Sequence, residues 1–244
     1  MVFNKTSEML RQPISLLRSE LRKLQNLIYH NVYIPPKVEQ EVIDRFHQIY
    51  FDSHAFSKTF WQGVSVRKCP FDLWVYQEII FNQKPDVIIE CGTDLGGSTS
   101  YLASMCDLVG NGRIISIDLA NLKGRPTHKR ITYIHGSSVE KETVDKVRSL
   151  IKADENVMVI LDSDHTRDHV FNELRMYNGF VTKGYYLIVE DSNINNHPVF
   201  PEFGPGPFEA IHDFLKENDS FKIDKKQEKF FITFNPDGYL LKVK

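Results

Sequence analysis

One stretch of the sequence indicates a strand, a glycine-rich turn and the start of a helix, namely Val87-Ile88-Ile89-Glu90-Cys91-Gly92-Thr93-Asp94-Leu95-Gly96-Gly97-Ser98. Its apolar, β-branched beginning predicts a parallel strand covered on both faces. The three glycines predict a tight turn that lets the backbone approach a ligand, and Ser98 is placed to cap a following helix. Because the free N–H groups at a helix start favour an anionic group, we predict a small-molecule site at the carboxyl end of this strand.

Two carboxylates indicate what kind of molecule this site takes. Glu90 ends the first strand, and Asp118 ends the next apolar run, residues 113–118. The spacing Gly-x-x-x-Gly-Gly differs from the dinucleotide fingerprint, so a pyrophosphate is not specifically implied. A carboxylate at the end of the second strand can accept hydrogen bonds from ribose hydroxyls. A nucleoside ligand is therefore favoured over a turn that is only structural.

The rest of the chain alternates between apolar runs and amphipathic segments. Strands are predicted at 114–118, 131–135, 157–161 and 185–189, and helices at 73–81, 98–109, 140–152, 169–180 and 209–218. This alternation predicts an α/β fold, a doubly wound, mostly parallel Rossmann-like sheet with helices on both faces. Two apolar runs at 230–234 and 239–243, separated by Asn235-Pro236-Asp237-Gly238, predict an antiparallel hairpin at the end of the sheet.

The N-terminal part of the chain is expected to form a helical arm. Its apolar residues are spaced alternately four and three apart, at Leu10, Ile14, Leu17, Leu21, Leu24 and Ile28. This seam could pack on the chain's own domain, on another subunit or on a membrane surface. A second amphipathic helix is predicted at 38–50. We predict an arm over 1–60 that supports a homo-oligomer or covers the substrate side, and a catalytic domain over 61–244.

Composition narrows the class of protein. The 244 residues are 41% hydrophobic and 25% charged, with a formal net charge of −2, which gives no electrostatic reason to bind nucleic acid. Cys69, Cys91 and Cys106 cannot all pair and match no zinc spacing, so reduced thiols in the cytoplasm are the simplest interpretation. No apolar run is long enough to span a bilayer, and we expect no transmembrane segment.

Acidic residues also follow two later strands of the predicted sheet. Asp162-Ser163-Asp164-His165 follows one strand, and Glu190-Asp191 follows the next. The ends of adjacent parallel strands lie within reach of each other, so the carboxylates would repel unless they are protonated or bridged by a cation. Oxygen ligands select a hard ion such as Mg²⁺. The alternative is that each carboxylate caps a helix or pairs with Arg167 or Arg175.

His165 is the candidate general base beside this cluster. An imidazole near neutral pH can remove a proton from a hydroxyl, and a metal on the same hydroxyl would share that task. The alternative is a structural histidine at a helix start, bonded to a carboxylate. Neighbouring acidic residues, rather than residue type alone, distinguish His165 from the other histidines.

Five blocks of sequence together resemble the cephalosporin hydroxylase family. They are Trp61-x-Gly63, Lys68-Cys69-Pro70-x-Asp72-Leu73-Trp74, Glu90-x-Gly92-Thr93-x-x-Gly96-Gly97-Ser98, Leu161-Asp162-Ser163-Asp164-His165 and Val189-Glu190-Asp191-Ser192-Asn193. That family has the fold of class I S-adenosylmethionine-dependent methyltransferases. The resemblance runs from about Trp61 to the C-terminal hairpin and does not cover the arm.

The resemblance implies a cofactor, a metal and their residues. S-adenosylmethionine would lie against Glu90, Gly92, Thr93, Asp94, Gly96, Gly97, Ser98, Asp118, Ser137, Ser138 and Asp162. The methionine moiety would lie at the glycine turn, the ribose at Asp118 and the adenine near Ser137 and Ser138. Mg²⁺ would be bound by Asp162, Glu190 and Asp191. Similar catechol-type enzymes carry a lysine base where this chain has His165, and Asp164 is a second candidate, as a base or an additional ligand.

These observations predict a Mg²⁺-dependent, S-adenosylmethionine-dependent O-methyltransferase. The acceptor would be a hydroxyl of a sugar, a glycan or a glycosylated small molecule. Two alternatives stand beside it: an oxygenase, as the family name suggests, and a non-catalytic cofactor-binding scaffold. An oxygenase would need two histidines and one carboxylate in a facial triad. The proline-rich loop 195–207 is expected to form a wall over the acceptor, or else a plain connection.

Overall fold

The structure, a computed structural model, describes residues 39–244. Helices in this part of the chain are α1 (Gln40–Asp52), α2 (Pro70–Gln83), α3 (Gly97–Val109), α4 (Lys141–Ser149), α5 (Arg167–Tyr177) and α6 (Pro207–Glu217). Strands are β1 (Phe60–Trp61), β2 (Val64–Ser65), β3 (Val87–Cys91), β4 (Arg113–Asp118), β5 (Ile131–His135), β6 (Val157–Leu161), β7 (Tyr186–Val189), β8 (Phe221–Ile223) and β9 (Tyr239–Lys242). The predicted seam from Leu10 to Ile28 lies outside the described residues.

Seven strands form one sheet in the order β5-β4-β3-β6-β7-β9-β8. The first five are parallel to their neighbours, and the last two are antiparallel. All five residues of β3 are buried, as its apolar sequence predicts. The chain proceeds from β3 to β4 on one side and later adds β6 on the other, so the order reverses at β3. Ligands bind at such a reversal in doubly wound sheets.

Helices cover both faces of this sheet. Buried residues of α4, α5 and α6 pack on one face, and those of α2 and α3 pack on the other. The short β1 and β2 pair separately as an antiparallel ribbon. The predicted fold class, a doubly wound and mostly parallel sheet with antiparallel C-terminal strands, is confirmed. None of the helices within residues 39–244 is long and apolar enough to cross a membrane.

The antiparallel pair at the C-terminus uses different residues from those predicted. β9 lies within the predicted run 239–243, but its partner is β8 rather than 230–234. Ile232 and Phe234 are buried against Cys69 and against aromatic residues in the last turn of α1 and just after it, so this run packs in a separate hydrophobic cluster and does not join the sheet. Its backbone is held there by Asp72, whose carboxylate accepts a hydrogen bond from Phe234 N at 2.8 Å.

Asp72 is a buried carboxylate near the start of α2 that does not cap the helix. The helix begins after Cys69, and Asp72 is buried in its first turn. Its carboxylate also accepts hydrogen bonds from Thr233 Oγ1 and from Tyr239 OH. Burial raises the pKa of Asp72 to about 6 although these hydrogen bonds favour the charged form. The residue thus connects α2 to the C-terminal segment.

Helix α1 is attached to the domain through His47. Residues from Ile43 onward form one compact unit. His47 is buried, stacks on the Phe234 ring, and places Nε2 3.0 Å from Asn193 Nδ2. Burial lowers the pKa of His47 to about 4, so the imidazole is neutral and accepts this hydrogen bond. This part of the predicted arm therefore packs on the chain's own domain.

Candidate functional site

A cavity of about 680 Å³ opens at the carboxyl ends of the parallel strands. Most of the predicted site residues line it: Gly92, Thr93, Asp94, Gly97, Ser98, Asp118, Ser137, Ser138, Asp162, Asp164, His165 and Asp191. Glu90, Gly96 and Glu190 do not form part of its wall. The residues that the sequence assigned to a cofactor and to a metal therefore share one cavity at the reversal point of the sheet.

The glycine turn forms the floor of this cavity. Gly92 has a φ of +97°, and a Cβ there would come within 1.8 Å of the Asp162 carbonyl oxygen. Gly96 has a φ of +82° and is the residue before the first turn of α3. Glycine is needed at both positions. A side chain at Gly92 would clash with Asp162, and a side chain at Gly96 would disfavour the left-handed backbone. The ends of β3 and β6 can therefore approach each other closely.

Ser98 does not cap α3, contrary to the prediction. The helix has no side-chain cap at its start, where Gly96 occupies the capping position. Ser98 Oγ instead donates a hydrogen bond to Glu90 Oε1 at 2.6 Å. No side chain at the capping position therefore accepts a hydrogen bond from the N–H groups of the first turn. This turn is part of the cavity wall, through Gly97 and Ser98.

Glu90 lies directly beneath the turn. Its buried carboxylate accepts hydrogen bonds from Ser98, from Thr99 and from Ser116 Oγ at 2.8 Å. Burial raises the pKa of Glu90 even though these hydroxyls favour the charged form. Ser98 separates Glu90 from the cavity, so the carboxylate supports the turn from below.

Asp118 lines the cavity beside the glycine turn. Its Oδ2 accepts hydrogen bonds from Thr93 N at 3.1 Å and Asp94 N at 2.7 Å, and it pairs with Arg125 at 2.8 Å. Its Oδ1 accepts one hydrogen bond, from Ala120 N at 2.6 Å. A carboxylate oxygen accepts about two hydrogen bonds, so Oδ1 retains capacity for a ligand hydroxyl. Asp118 therefore fits a ribose and also fixes the glycine turn.

Asp162, His165 and Asp191 form a cluster suited to a metal ion. One ligand atom of each lies within 4.8 Å of the others, and His165 Nε2 is 3.3 Å from Asp191 Oδ2. The two carboxylates are oxygen donors of the kind that bind divalent ions in proteins, and the imidazole beside them stays available as a base when the carboxylates hold the ion. The donor set therefore fits a divalent ion such as Mg²⁺ or Mn²⁺.

Glu190 lies behind this cluster and is occupied by other partners. Lys68 Nζ lies 2.6 Å from Glu190 Oε2 and 2.6 Å from Asp162 Oδ2, and Tyr76 OH donates to Glu190 Oε1 at 2.8 Å. Burial alone would lower the pKa of Lys68, but its two ion pairs outweigh burial and place that pKa above its usual range. Lys68 is therefore charged and bridges two of the three predicted metal ligands. The metal role of Glu190 stays a prediction.

Sequence alone assigns no role to Lys68, although this residue stands in the Lys68-Cys69-Pro70 block that contributes to the family resemblance. It comes from the turn before α2, far from β6 and β7 along the chain. The rule that strand ends meet at one edge of a sheet does not extend to such a residue.

Asp164 and His165 face different partners. Asp164 is exposed, and its Oδ1 accepts hydrogen bonds from the backbone N and the hydroxyl of Thr166, at the start of α5. The hydroxyl hydrogen bond is the main reason that the pKa of Asp164 lies below its ordinary value. His165 turns toward Asp191 instead. Asp164 thus organises the helix start, while His165 faces the carboxylate cluster.

His169 is a cavity residue that the sequence did not single out. Its Nε2 lies 3.2 Å from Ser138 Oγ and 3.1 Å from Ser163 Oγ. Ser163 donates in turn to the buried Glu173, and the interaction with Glu173 raises the pKa of His169. One helical turn separates His169 from Glu173, a spacing that could have indicated the pair.

The loop 195–207 does not reach the cavity wall. Its ends are held by Glu209, which accepts hydrogen bonds from Asn195 Nδ2 at 2.9 Å and Gly206 N at 2.7 Å. Gln48 of α1 donates to Pro198 O at 3.1 Å. The loop therefore joins β7 to α6 along the chain and contacts α1, which agrees with the alternative that it is a connection.

These features define a Rossmann-like α/β domain. Where its strand order reverses, a glycine turn, a carboxylate suited to a ribose and a cluster suited to a metal ion lie together. A similar fold occurs in the apo structure of CmcI-N160 and in a Mg-SAM structure of cmcI-D160. Each is 22% identical, covers 78% of both chains and has a TM-score of 0.61. An O-methyltransferase from Bacillus cereus, 13% identical, has a TM-score of 0.51 over 91% of this chain and 97% of that one. These likenesses confirm the fold.

Sequence comparison identifies the family. The family model described as rhamnosyl O-methyltransferase/CmcI matches residues 53–243. Rhamnosyl O-methyltransferase of Mycobacterium tuberculosis (strain ATCC 25618 / H37Rv) is 31% identical over 249 residues, covering 99% of each chain. The protein of that name from Mycobacterium leprae (strain TN) is 30% identical over 228 residues, 91% of this chain and 98% of the relative. The chain belongs to the rhamnosyl O-methyltransferase/CmcI family. The predicted family resemblance and the enzyme class, an O-methyltransferase, are confirmed.

Proposed function

We propose that this protein transfers a methyl group from S-adenosylmethionine to a hydroxyl of a rhamnosyl or similar sugar residue, with a divalent ion at the site. One observation carries the proposal. The glycine turn and the cluster of Asp162, His165 and Asp191 line a single cavity. A cofactor on the turn and an acceptor hydroxyl at the cluster would therefore face each other. The relatives' name, rhamnosyl O-methyltransferase, supports a sugar acceptor.

The wall of the cavity fits the parts of the cofactor in sequence. The α3 start and the glycine turn would receive the methionine end, because a backbone without side chains leaves room there. Asp118 Oδ1 can accept a ribose hydroxyl. Ser137 and Ser138, after β5, lie where the adenine is expected. Asp162 lies between the cofactor and the metal cluster, because its carbonyl meets Gly92 and its carboxylate joins the cluster.

When bound, S-adenosylmethionine would supply an electrophilic methyl group, and a divalent ion would make an acceptor hydroxyl easier to deprotonate. Asp162 and Asp191 would hold the ion. His165 would take the hydroxyl proton as the acceptor oxygen gains the methyl group, whose bond to the sulfonium sulfur breaks and leaves its electron pair on the departing thioether, S-adenosylhomocysteine. Asp191, 3.3 Å from His165 Nε2, stabilises the imidazolium that results.

His165 is a better candidate for the base than Asp164. The Asp164 carboxylate already accepts two hydrogen bonds from Thr166, whereas His165 faces the cluster. An oxygenase is not favoured, since His165 is the single histidine that joins the carboxylates in the described metal-type cluster.

The experiment that tests this proposal follows methyl transfer by mass spectrometry. The full chain is incubated with S-adenosylmethionine and a panel of rhamnosides and matched hexosides, with Mg²⁺ or with a chelator. We expect a rhamnoside to gain the mass of one added methyl group, faster with Mg²⁺. Cofactor binding without transfer to any sugar would contradict the acceptor class. Equal rates after chelation would contradict the role of the metal.

We also propose that the protein acts as a homo-oligomer in the cytoplasm. The apolar seam from Leu10 to Ile28 supports assembly, and the three buried, unpaired cysteines are compatible with a reducing compartment. Light scattering on the full chain should give a multiple of the 28.4 kDa chain mass. A mass equal to one chain at micromolar concentration would contradict the assembly.

A further inference from the structure

The charges around the cavity are unbalanced. Its wall contains five aspartates, at Asp94, Asp118, Asp162, Asp164 and Asp191. Among the residues that the structure describes, Arg67 is the one arginine or lysine in that wall. Asp118 and Asp162 pair with Arg125 and Lys68, which lie outside that wall, but the excess of carboxylates in the wall still favours a sulfonium or an ammonium group and leaves Arg67 as the wall's cationic side chain for a carboxylate.

Arg67 lies on a segment that is fixed against the start of α3. A Cβ on Gly97 would come within 2.0 Å of the Ser65 carbonyl oxygen, so the end of β2 touches the first turn of the helix. Arg67 itself has a φ of +58°, a left-handed backbone that is uncommon for arginine. Arg67 therefore follows the contact residue Ser65 by two positions, and it lines the cavity.

The guanidinium is available to a ligand. Its side chain is 57% exposed and pairs with Asp94, itself 50% exposed, at 3.1 Å. Exposed ion pairs of this kind contribute little, so a ligand can replace the contact at small cost. The neighbouring Lys68 is not available, because it is buried and held by Asp162 and Glu190. The uncapped first turn of α3 adds N–H groups that favour the same negative charge.

We propose that Arg67 binds the α-carboxylate of the methionine end of the cofactor, while the first turn of α3 supplies backbone N–H groups to it. Asp94 holds the guanidinium before the cofactor arrives. The inference rests on the proposed function, since it assumes S-adenosylmethionine as the ligand. It makes Arg67 the residue that distinguishes an amino-acid-bearing nucleoside from one without a carboxylate.

The test compares two ligands that differ only in this carboxylate. S-adenosylhomocysteine and its decarboxylated analogue, an adenosyl thiopropylamine, are titrated into the full chain by calorimetry. The main variant is Arg67→Asn, because asparagine tolerates a left-handed backbone, and Arg67→Lys is the conservative variant. We expect Arg67→Asn to weaken S-adenosylhomocysteine by about 10- to 100-fold and the analogue by less than about 3-fold. Arg67→Lys should restore part of the loss.

The control variant is Arg125→Gln. Arg125 pairs with Asp118 and donates to the Asp94 carbonyl, but it does not line the cavity. Its loss should affect both ligands equally. The inference is overturned if Arg67→Asn weakens both ligands to the same degree or leaves S-adenosylhomocysteine unchanged. If the unmodified chain binds neither ligand, the proposed function fails instead.

Discussion

At the scale of single residues, the site combines two carboxylates with one imidazole. Asp162 and Asp191 follow neighbouring parallel strands that end at one edge of the sheet. His165 Nε2 lies 3.3 Å from Asp191 Oδ2, so the imidazole faces the place where an acceptor hydroxyl would be deprotonated.

The role of His165 can be tested by His165→Gln. If the imidazole takes the acceptor proton, we expect turnover to fall by about 10² to 10⁴, the usual contribution of a positioned general base. Affinity for S-adenosylhomocysteine should change by less than about 3-fold, since the cofactor lies on the glycine turn. His128→Gln is the matched control, because His128 pairs with Asp107 outside the cavity. Equal turnover in the two variants would remove His165 from the mechanism.

The metal cluster can be tested by Asp191→Asn. Replacing a charged ligand by a neutral amide should weaken Mn²⁺ binding at least about tenfold, measured by the paramagnetic resonance signal of free Mn²⁺. Asp168→Asn makes the same change on a side chain that is 86% exposed and pairs with Arg167. It should leave Mn²⁺ affinity unaltered. Equal affinities in both variants would show that the cluster does not hold the ion.

At the scale of elements, periodicity and alternation predicted the parallel strands to within about one residue and the helices around them to within about three. The strands Ile131–His135 and Val157–Leu161 have the predicted bounds. The run 230–234 failed because an apolar run shows only that residues are buried, not whether they join a sheet. Burial of Phe234 between α1 and α2 depends on tertiary contacts that the run itself does not encode.

The attachment of α1 should make stability depend on pH through His47. Its pKa is 6.5 when unfolded and about 4 when folded, so the unfolded chain binds more protons between these values. The contribution of neutral His47 to the free energy of unfolding is complete above pH 6.5. It is lost as the pH falls toward 4, by up to about 3 kcal/mol.

Denaturant unfolding at a series of pH values measures this effect as the difference between the unmodified chain and His47→Gln. The difference should shrink with falling pH, because glutamine does not titrate. A difference that is constant from pH 7.5 to about 4 would contradict the neutral, buried state of His47.

The contact between β2 and α3 can be tested by Gly97→Ala. A methyl group would meet the Ser65 carbonyl at 2.0 Å, and relieving this overlap should cost about 2 kcal/mol, or about 4 to 8 °C in melting temperature. Cofactor affinity should fall as well. Gly179→Ala is the control, because a Cβ there meets nothing within 4 Å and should change stability by less than about 0.5 kcal/mol. Equal melting temperatures would contradict the close contact.

At the scale of the whole molecule, the fold brings residues from widely separated parts of the sequence to one cavity. A ligand site at the carboxyl end of β3 could be predicted, because ligands of doubly wound sheets bind beyond the carboxyl ends of the strands. The carboxylates could be placed around the cavity only because they follow strands whose carboxyl ends lie at one edge of the sheet. The two cations at the site, Lys68 and Arg67, required the three-dimensional packing of the segment before α2.

We expect this cavity to bind S-adenosylmethionine beside a divalent ion. A calorimetric titration of S-adenosylhomocysteine into the full chain, with Mg²⁺ present and again after chelation, tests both ligands. Saturable binding of one nucleoside per chain is expected, together with a separate Mg²⁺ binding event that is lost in Asp162→Asn. No nucleoside binding under either condition would show that the cavity is not a cofactor site.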